Sequence, residues 1–151
     1  MQAQMLAPAA ILAVWTMIVL LWIIPSRFGA VAKLEDRSAL PSKRGVRGGD
    51  LEGVIPDRAN WPAHNHTHLH EQPTVFYAVS LILAVVGAGA FDILLAWIYV
   101  GIRIVHSLWQ ILVNSIPVRF ALFLLSTIAL IVLAIRAILA TAFADPALAP
   151  Q

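Results

Sequence analysis

The sequence predicts an all-α integral membrane protein, a bundle of four transmembrane helices. Three observations carry this. Of 151 residues, 60% are hydrophobic and only 12% charged, and the mean hydropathy is +0.84, a balance foreign to soluble domains and typical of membrane spans. The apolar residues fall into four long runs separated by polar or turn-forming segments. Seven of the ten Lys and Arg residues crowd into one stretch, 25–73, the asymmetry that the positive-inside rule associates with a cytoplasmic loop. The length suits one domain, 1–151. Cysteine is absent, which excludes a disulfide framework, a thiolate metal site and a cysteine nucleophile. Any thiol chemistry must therefore bring its thiol on a substrate.

The first apolar run, Leu6 to Ile24, holds Trp15 and Trp22 and no charge. At about 1.5 Å per residue it reaches roughly 28 Å, enough for a hydrocarbon core. Its flank before Leu6 has no Lys or Arg, and the run is long for a signal h-region, so it reads as a retained helix. Residues 25–73 change character. Pro25, Pro41, Pro56, Pro62 and Gly48-Gly49 punctuate a basic stretch, which reads as a solvent-side loop with a short helix near Ala30–Leu40. Basic charge of this kind also suits nucleic acid, but the positive-inside bias already accounts for it, and no nucleic-acid partner is expected.

Four histidines alternate at the end of this stretch, His64, His66, His68 and His70. Extended backbone would put all four on one face; a helix would make two i, i+4 pairs, His64 with His68 and His66 with His70. Imidazole is a common ligand for zinc and similar ions. Metal sites, however, usually draw ligands from several elements, and Glu71 is the one carboxylate close by. No metal site is assigned; a polar approach to the membrane explains the run as well.

The second span reads as Thr74–Ala88, with small residues Ala78, Ser80, Ala84 and Gly87 suited to close helix approach. Gly87-Ala88-Gly89 makes a tight turn. The third span runs from Ala90 to Leu112, with Asp92 in its first turn, where a carboxylate suits the helix dipole. Asn114 to Arg119 form a short turn, and Pro117 fits the first turn of the last helix. The fourth span reads as Phe120–Thr141, followed by a short outer tail, Ala144–Gln151. The loop count puts both termini outside the cytoplasm and loop 25–73 within it. Arg119 to Arg136 is about 25 Å along a helix, so Arg136 should reach the depth of Asp92 and pair with it.

Candidate functional residues stand out against this apolar background. Arg103, His106 and Gln110 lie at i, i+3 and i+7, on one face of the third span. An intramembrane arginine costs about 2.5–3.5 kcal/mol to insert, so it normally faces a partner or a wet cavity. The plainer alternative is an arginine near the helix end that snorkels to the headgroups. The loop count gathers Arg103, His106, Gln110, Arg119 and Glu71 in the cytoplasmic half. Their cationic excess favours an anionic ligand or one with carboxylates. A channel or transporter is disfavoured, because neither an inverted repeat nor a broken helix is evident.

The string Arg103-x-x-His106-x-x-x-Gln110, followed by Pro117-x-Arg119, resembles the MAPEG family of membrane proteins in eicosanoid and glutathione metabolism. Within that family it is most similar in pattern to the microsomal prostaglandin E synthases. His68-x-x-Glu71-x-Pro73-x-x-Phe76-Tyr77 resembles the family's Asn-x-x-Glu approach to the second helix. The resemblance spans residues 58–140. It implies a homotrimer with glutathione as co-substrate, bound between subunits on the cytoplasmic side. Arg119 would be the catalytic, thiolate-stabilising arginine, and Glu71, Arg103, His106, Gln110 and His68 would form the glutathione wall. It also implies a bacterial member seated in the inner membrane, with both termini periplasmic.

Two residues depart from the family pattern. His68 stands in place of the asparagine, and Gln110 stands in place of a tyrosine. The expected activity is a glutathione-dependent transferase or peroxidase acting on lipophilic electrophiles, with Arg119 facing a cavity and Arg103 and Glu71 within ligand reach. The alternative is a non-catalytic member that binds lipid or serves a larger membrane assembly. Its polar stripe would be satisfied internally, by Glu71 to Arg103 and His106 to a backbone carbonyl.

Overall fold

The computed structural model of the protein describes residues 2–42 and 44–143; the expected outer tail, Ala144–Gln151, lies outside the described residues. Five helices account for most of the chain: α1 (Gln2–Ala32), α2 (Asp57–Leu69), α3 (Gln72–Val86), α4 (Ala90–Leu112) and α5 (Ile116–Ala142). Four helical segments are long and apolar enough to cross a membrane, the second being α2 and α3 taken together.

α1 buries a narrow stripe. Met5, Leu12 and Val19, seven residues apart, are fully buried, while Ile11, Val14, Met17, Ile18 and Leu21 stay exposed. That pattern is a helix seated on a bundle along one seam with its remaining surface turned to lipid. α1 packs against α2, α3 and α4, and α5 packs against α3 and α4. Across the middle, Phe76 of α3 stacks on Tyr99 of α4 with ring centroids 4.3 Å apart. Exposed Leu124, Leu125, Ile128, Ile131 and Ile135 mark the outer surface of α5.

The stretch 25–73 differs from its sequence reading. α1 does not stop before Pro25 but continues to Ala32, with Pro25 inside the helix. A proline there removes one N–H, and the strongly apolar helix tolerates the loss. The expected helix near Ala30–Leu40 is instead the end of α1 followed by a single 3₁₀ turn, Arg37–Ala39, which Asp36 caps by accepting from the Ser38 backbone N–H at 2.8 Å. A second 3₁₀ turn covers Gly48–Leu51. The Arg27 guanidinium lies over Gly48, where a Cβ would displace it. Arg27 also donates to Asn60 Oδ1 at 3.1 Å, tying the end of α1 to α2.

α2 itself has no counterpart among the expected spans. It buries Asn60, Pro62, Asn65 and Leu69, a mainly polar set that hydropathy cannot detect. α2 ends at Leu69 with His70 as its cap, and Glu71 adopts φ −84° and ψ −97° before Gln72 and Pro73 open α3. The break lets α3 start afresh at the level of the α4 polar stripe.

Two short connections close the bundle. Gly87, at φ 104°, ends α3 in a left-handed conformation that glycine alone adopts without strain. In the first turn of α4, Asp92 accepts from the Gly89 N–H at 2.8 Å and from Arg136 Nη2 at 3.1 Å, while Arg136 Nε donates to its other oxygen. The pairing expected from helix length is therefore present, as a two-pronged clamp between α4 and α5. The connection from α4 to α5 turns at Asn114, at φ 59°, and Pro117 sits in the first turn of α5 as its chemistry favours.

Candidate functional site

α4 is the element that positions the site. Its buried face carries Tyr99, Arg103, His106, Ser107 and Gln110. It contains the stripe that the sequence marked, Arg103, His106 and Gln110, together with Tyr99 and Ser107, and the structure divides it in two.

The first half is an anion-ready cleft between α2, α4 and the start of α5. It measures about 410 Å³ and is lined by His68, His106, Ile116, Arg119, Phe120 and Phe123. The His68 and His106 rings lie 5.2 Å apart, and His68 stacks on Phe123 at 5.5 Å. Arg103 approaches from behind, its guanidinium carbon 5.3 Å from the centre of the Phe123 ring and 5.7 Å from that of Tyr99. Arg103 is only 1% exposed. Its Nε donates to the Tyr99 hydroxyl at 3.2 Å, which donates onward to Gln72 Oε1 at 3.5 Å. Gln72 Nε2 then donates to Thr127 Oγ1 at 2.8 Å, and Thr127 to the Phe123 carbonyl at 2.7 Å. The chain of bonds runs from α4 through α3 to α5 and fixes the guanidinium plane.

No carboxylate faces Arg103 among the described residues, and its Nη2 is buried without a hydrogen-bond partner. Arg119 shows the same deficit at Nε, while its Nη1 donates to Asn114 Oδ1 at 2.6 Å. Two guanidinium groups thus have donors unspent, Arg119 lining the cleft and Arg103 packed behind its Phe123 wall. A buried cation without a counter-charge is costly, and guanidinium forks match carboxylates and other oxyanions.

Glu71 does not line the cleft. Its Oε2 accepts from His68 Nδ1 at 2.7 Å, so it reaches the site through that ring. The pairing of Glu71 with Arg103, and of His106 with a backbone carbonyl, is not present among the described residues.

The second half of the stripe faces α1 and α2. Trp15 Nε1 donates to Ser107 Oγ at 2.9 Å, Ser107 donates to Asn65 Oδ1, and Asn65 Nδ2 donates to Gln110 Oε1 at 2.9 Å. Gln110 therefore joins this network and not the cleft. Asn65, Ser107, Asn114 and Phe123 were not marked in the sequence. Asn65 lay inside the histidine run, and Asn114 carried only the signal of a turn residue.

The four histidines part company because α2 is helical. His64 Nε2 meets Glu52 Oε1 at 2.9 Å, His66 and His70 rings lie 4.4 Å apart, and His68 turns to Glu71. Among the described residues no group of three or more His, Asp or Glu side chains is arranged to hold a metal ion. A larger cleft, about 500 Å³, opens between α1, α2 and the end of α4, with Lys33 and Arg58 on its rim. Both cations are exposed, and none of the expected site residues reaches it.

Comparison with known proteins adds one match: the model of the MAPEG family aligns with residues 5–139. No curated protein and no solved structure matches the chain.

Proposed function

The chain belongs to the MAPEG family, and on that premise we propose that it is a glutathione-dependent membrane transferase or peroxidase acting on lipophilic electrophiles. The observation that carries this reading is Arg103. A guanidinium 1% exposed, with a buried and unpartnered Nη2, packs behind the Phe123 wall of a cleft that Arg119 lines, a charge that calls for an anion. Glutathione supplies two carboxylates and a thiol. In this reading Arg103 takes a glutathione carboxylate, His106 and His68 form the wall, and Glu71 braces it through His68. Arg119 stabilises the thiolate, because a fixed cation in a low-dielectric site favours the charged sulfur without exchanging a proton itself. Gln110 contributes by holding α2 against α4 through Asn65.

Phe120, Phe123 and Ile116 give the cleft an apolar flank, which suits an electrophile arriving laterally from the bilayer. A homotrimer would supply the wall that one protomer leaves open. We place the protein in a bacterial inner membrane with loop 25–73 cytoplasmic, on the strength of the basic residues in that loop.

A second reading, a non-catalytic lipid-binding or accessory subunit of the same fold, is favoured by a specific observation. Glu71, Gln110 and one nitrogen of Arg119 already have partners within the chain. Thermal unfolding of the purified protein in detergent, with and without glutathione, separates the two. Glutathione at about 100 times its dissociation constant should stabilise the fold by roughly 2.7 kcal/mol, a shift of several degrees. Arg103→Ala and Arg119→Ala should abolish the shift. An unchanged melting temperature at millimolar glutathione would favour the accessory reading.

A further inference from the structure

We propose that His68, held by Glu71, is the catalytic base that takes the thiol proton in the cleft; the assignment rests on the glutathione-dependent reading above.

The geometry selects this ring. His68 Nδ1 lies 2.7 Å from Glu71 Oε2. An ionised carboxylate can only accept, so a neutral ring bonded to it carries its proton on Nδ1 and its lone pair on Nε2. His68 lines the cleft together with Arg119, and its Nε2 makes no hydrogen bond among the described residues. The other groups at the cleft are unsuited to the role. Arg119 stays protonated and cannot accept. His106 has no carboxylate beside it and is buried close to the cations Arg103 and Arg119. Glu71 is spent on His68 and its side chain is 62% exposed, away from the cleft. His64, His66 and His70 turn to other partners and do not line the cleft.

The step balances within the site. The S–H bond of the thiol breaks, an N–H bond forms at His68 Nε2, and the electron pair stays on sulfur. Thiol and neutral imidazole become thiolate and imidazolium, so the net charge of the cleft does not change. Every charged group facing His68 has a part. Glu71 at the end of α2 offsets the imidazolium. Arg103 from α4 and Arg119 from α5 oppose it but stabilise the thiolate formed beside it. The His106 ring of α4 packs 5.2 Å from that of His68. Paired thiolate and imidazolium form a recognised activated nucleophile, and the ring would then be the proton donor for whatever leaving group the sulfur displaces.

The test counts protons. The full-length protein in detergent is titrated with reduced glutathione while the ultraviolet absorbance of bound thiolate is followed. Calorimetry in buffers of different ionisation enthalpy reports protons released. Wild type should form thiolate while releasing almost no proton to buffer. His68→Asn and His68→Gln keep a polar side chain of similar size without a basic nitrogen. They should release close to one proton per thiolate and form less thiolate at neutral pH. S-Methylglutathione, which has no thiol proton, should bind wild type and, more weakly because His68 is part of the wall, both variants, moving no proton in any of them, and so reports that the cleft is intact.

A full proton released per thiolate by the wild-type protein overturns the assignment without recourse to any variant. Equal release by wild type and variants overturns it too, while leaving glutathione as the ligand. Failure of both glutathione and S-methylglutathione to bind wild type overturns the proposed function and this assignment together.

Discussion

Asn114 holds a backbone that most residues avoid, at φ 59°, and spends its side chain on Arg119 Nη1 at 2.6 Å. Asparagine tolerates the left-handed region because its short amide bonds locally. The same residue thus turns the chain between α4 and α5 and aims the guanidinium that the proposed chemistry needs. The two tasks can be separated. Asn114→Gly keeps the backbone conformation and removes the amide, so stability should change by under about 1 kcal/mol. The thiolate absorbance on adding glutathione should fall several-fold, because Arg119 is no longer anchored. Asn114→Ala should lose the same function and in addition cost about 1–2 kcal/mol in strain. Denaturant titration beside thiolate absorbance checks both. Equal thiolate formation in Asn114→Gly and wild type would mean that Arg119 needs no such anchor. The sequence marked Arg119 and the turn but not the bond between them, because an asparagine in a turn reads as local geometry alone.

At the scale of the element, α2 and α4 show why some of the site was legible and some was not. The apolar runs were long and the charges within them few, so Arg103 and His106 stood out, as did the Asp92–Arg136 clamp spaced by helix rise. α2 was hidden because its buried face sets Asn60, Pro62 and Asn65 beside a single aliphatic side chain, Leu69, a set that hydropathy scores as loop. Gln110 was grouped with Arg103 by direction, since seven residues bring a helix almost back to the same face. Those seven residues also move it roughly 10 Å along the axis, past the cleft and onto Asn65. The Trp15–Ser107–Asn65–Gln110 chain is therefore the joint between α1, α2 and α4.

Asn65 is the middle of that joint and completely buried. Asn65→Ala would leave Gln110 Oε1 without its donor and Ser107 without its acceptor, each costing about 1–3 kcal/mol when buried. We expect a loss of about 2–4 kcal/mol in unfolding free energy. The loss should be non-additive with Gln110→Leu, because both variants remove the same bond. A double-mutant cycle in detergent measures this, and full additivity would show that the two side chains do not support one another.

The whole molecule turns on which end of the bundle faces which compartment. The cleft sits where α2 ends and α5 begins, among His68, Ile116 and Arg119. The Asp92–Arg136 clamp sits at the other end of α4 and α5. The co-substrate proposed above would have to reach the first end, and the basic residues of 25–58 lie on that side by chain order if each apolar segment crosses: α1 to it, α2 and α3 from it, α4 back and α5 away. If the positive-inside rule governs the topology, the cleft opens to the cytoplasm and the end of α5 does not.

Because the chain has no cysteine, single introduced thiols are unique handles. Ser38→Cys, in the exposed turn after α1, should react with a membrane-impermeant maleimide only in inside-out vesicles. Ala142→Cys, exposed at the end of α5, should react only in right-side-out ones. Both substitutions are small and on the surface, so neither should disturb the fold. The reverse pattern would put the cleft outside, away from the compartment where the proposed co-substrate is expected, and would remove the basis for the activity while leaving the bundle unchanged. Three expected crossings separate the two positions, α2 with α3, α4 and α5, so labelling of both from one side would mean that one of the three does not cross. That outcome would tell against the four-span topology itself, and the second crossing, whose α2 portion buries the polar Asn60 and Asn65, would be the first to re-examine.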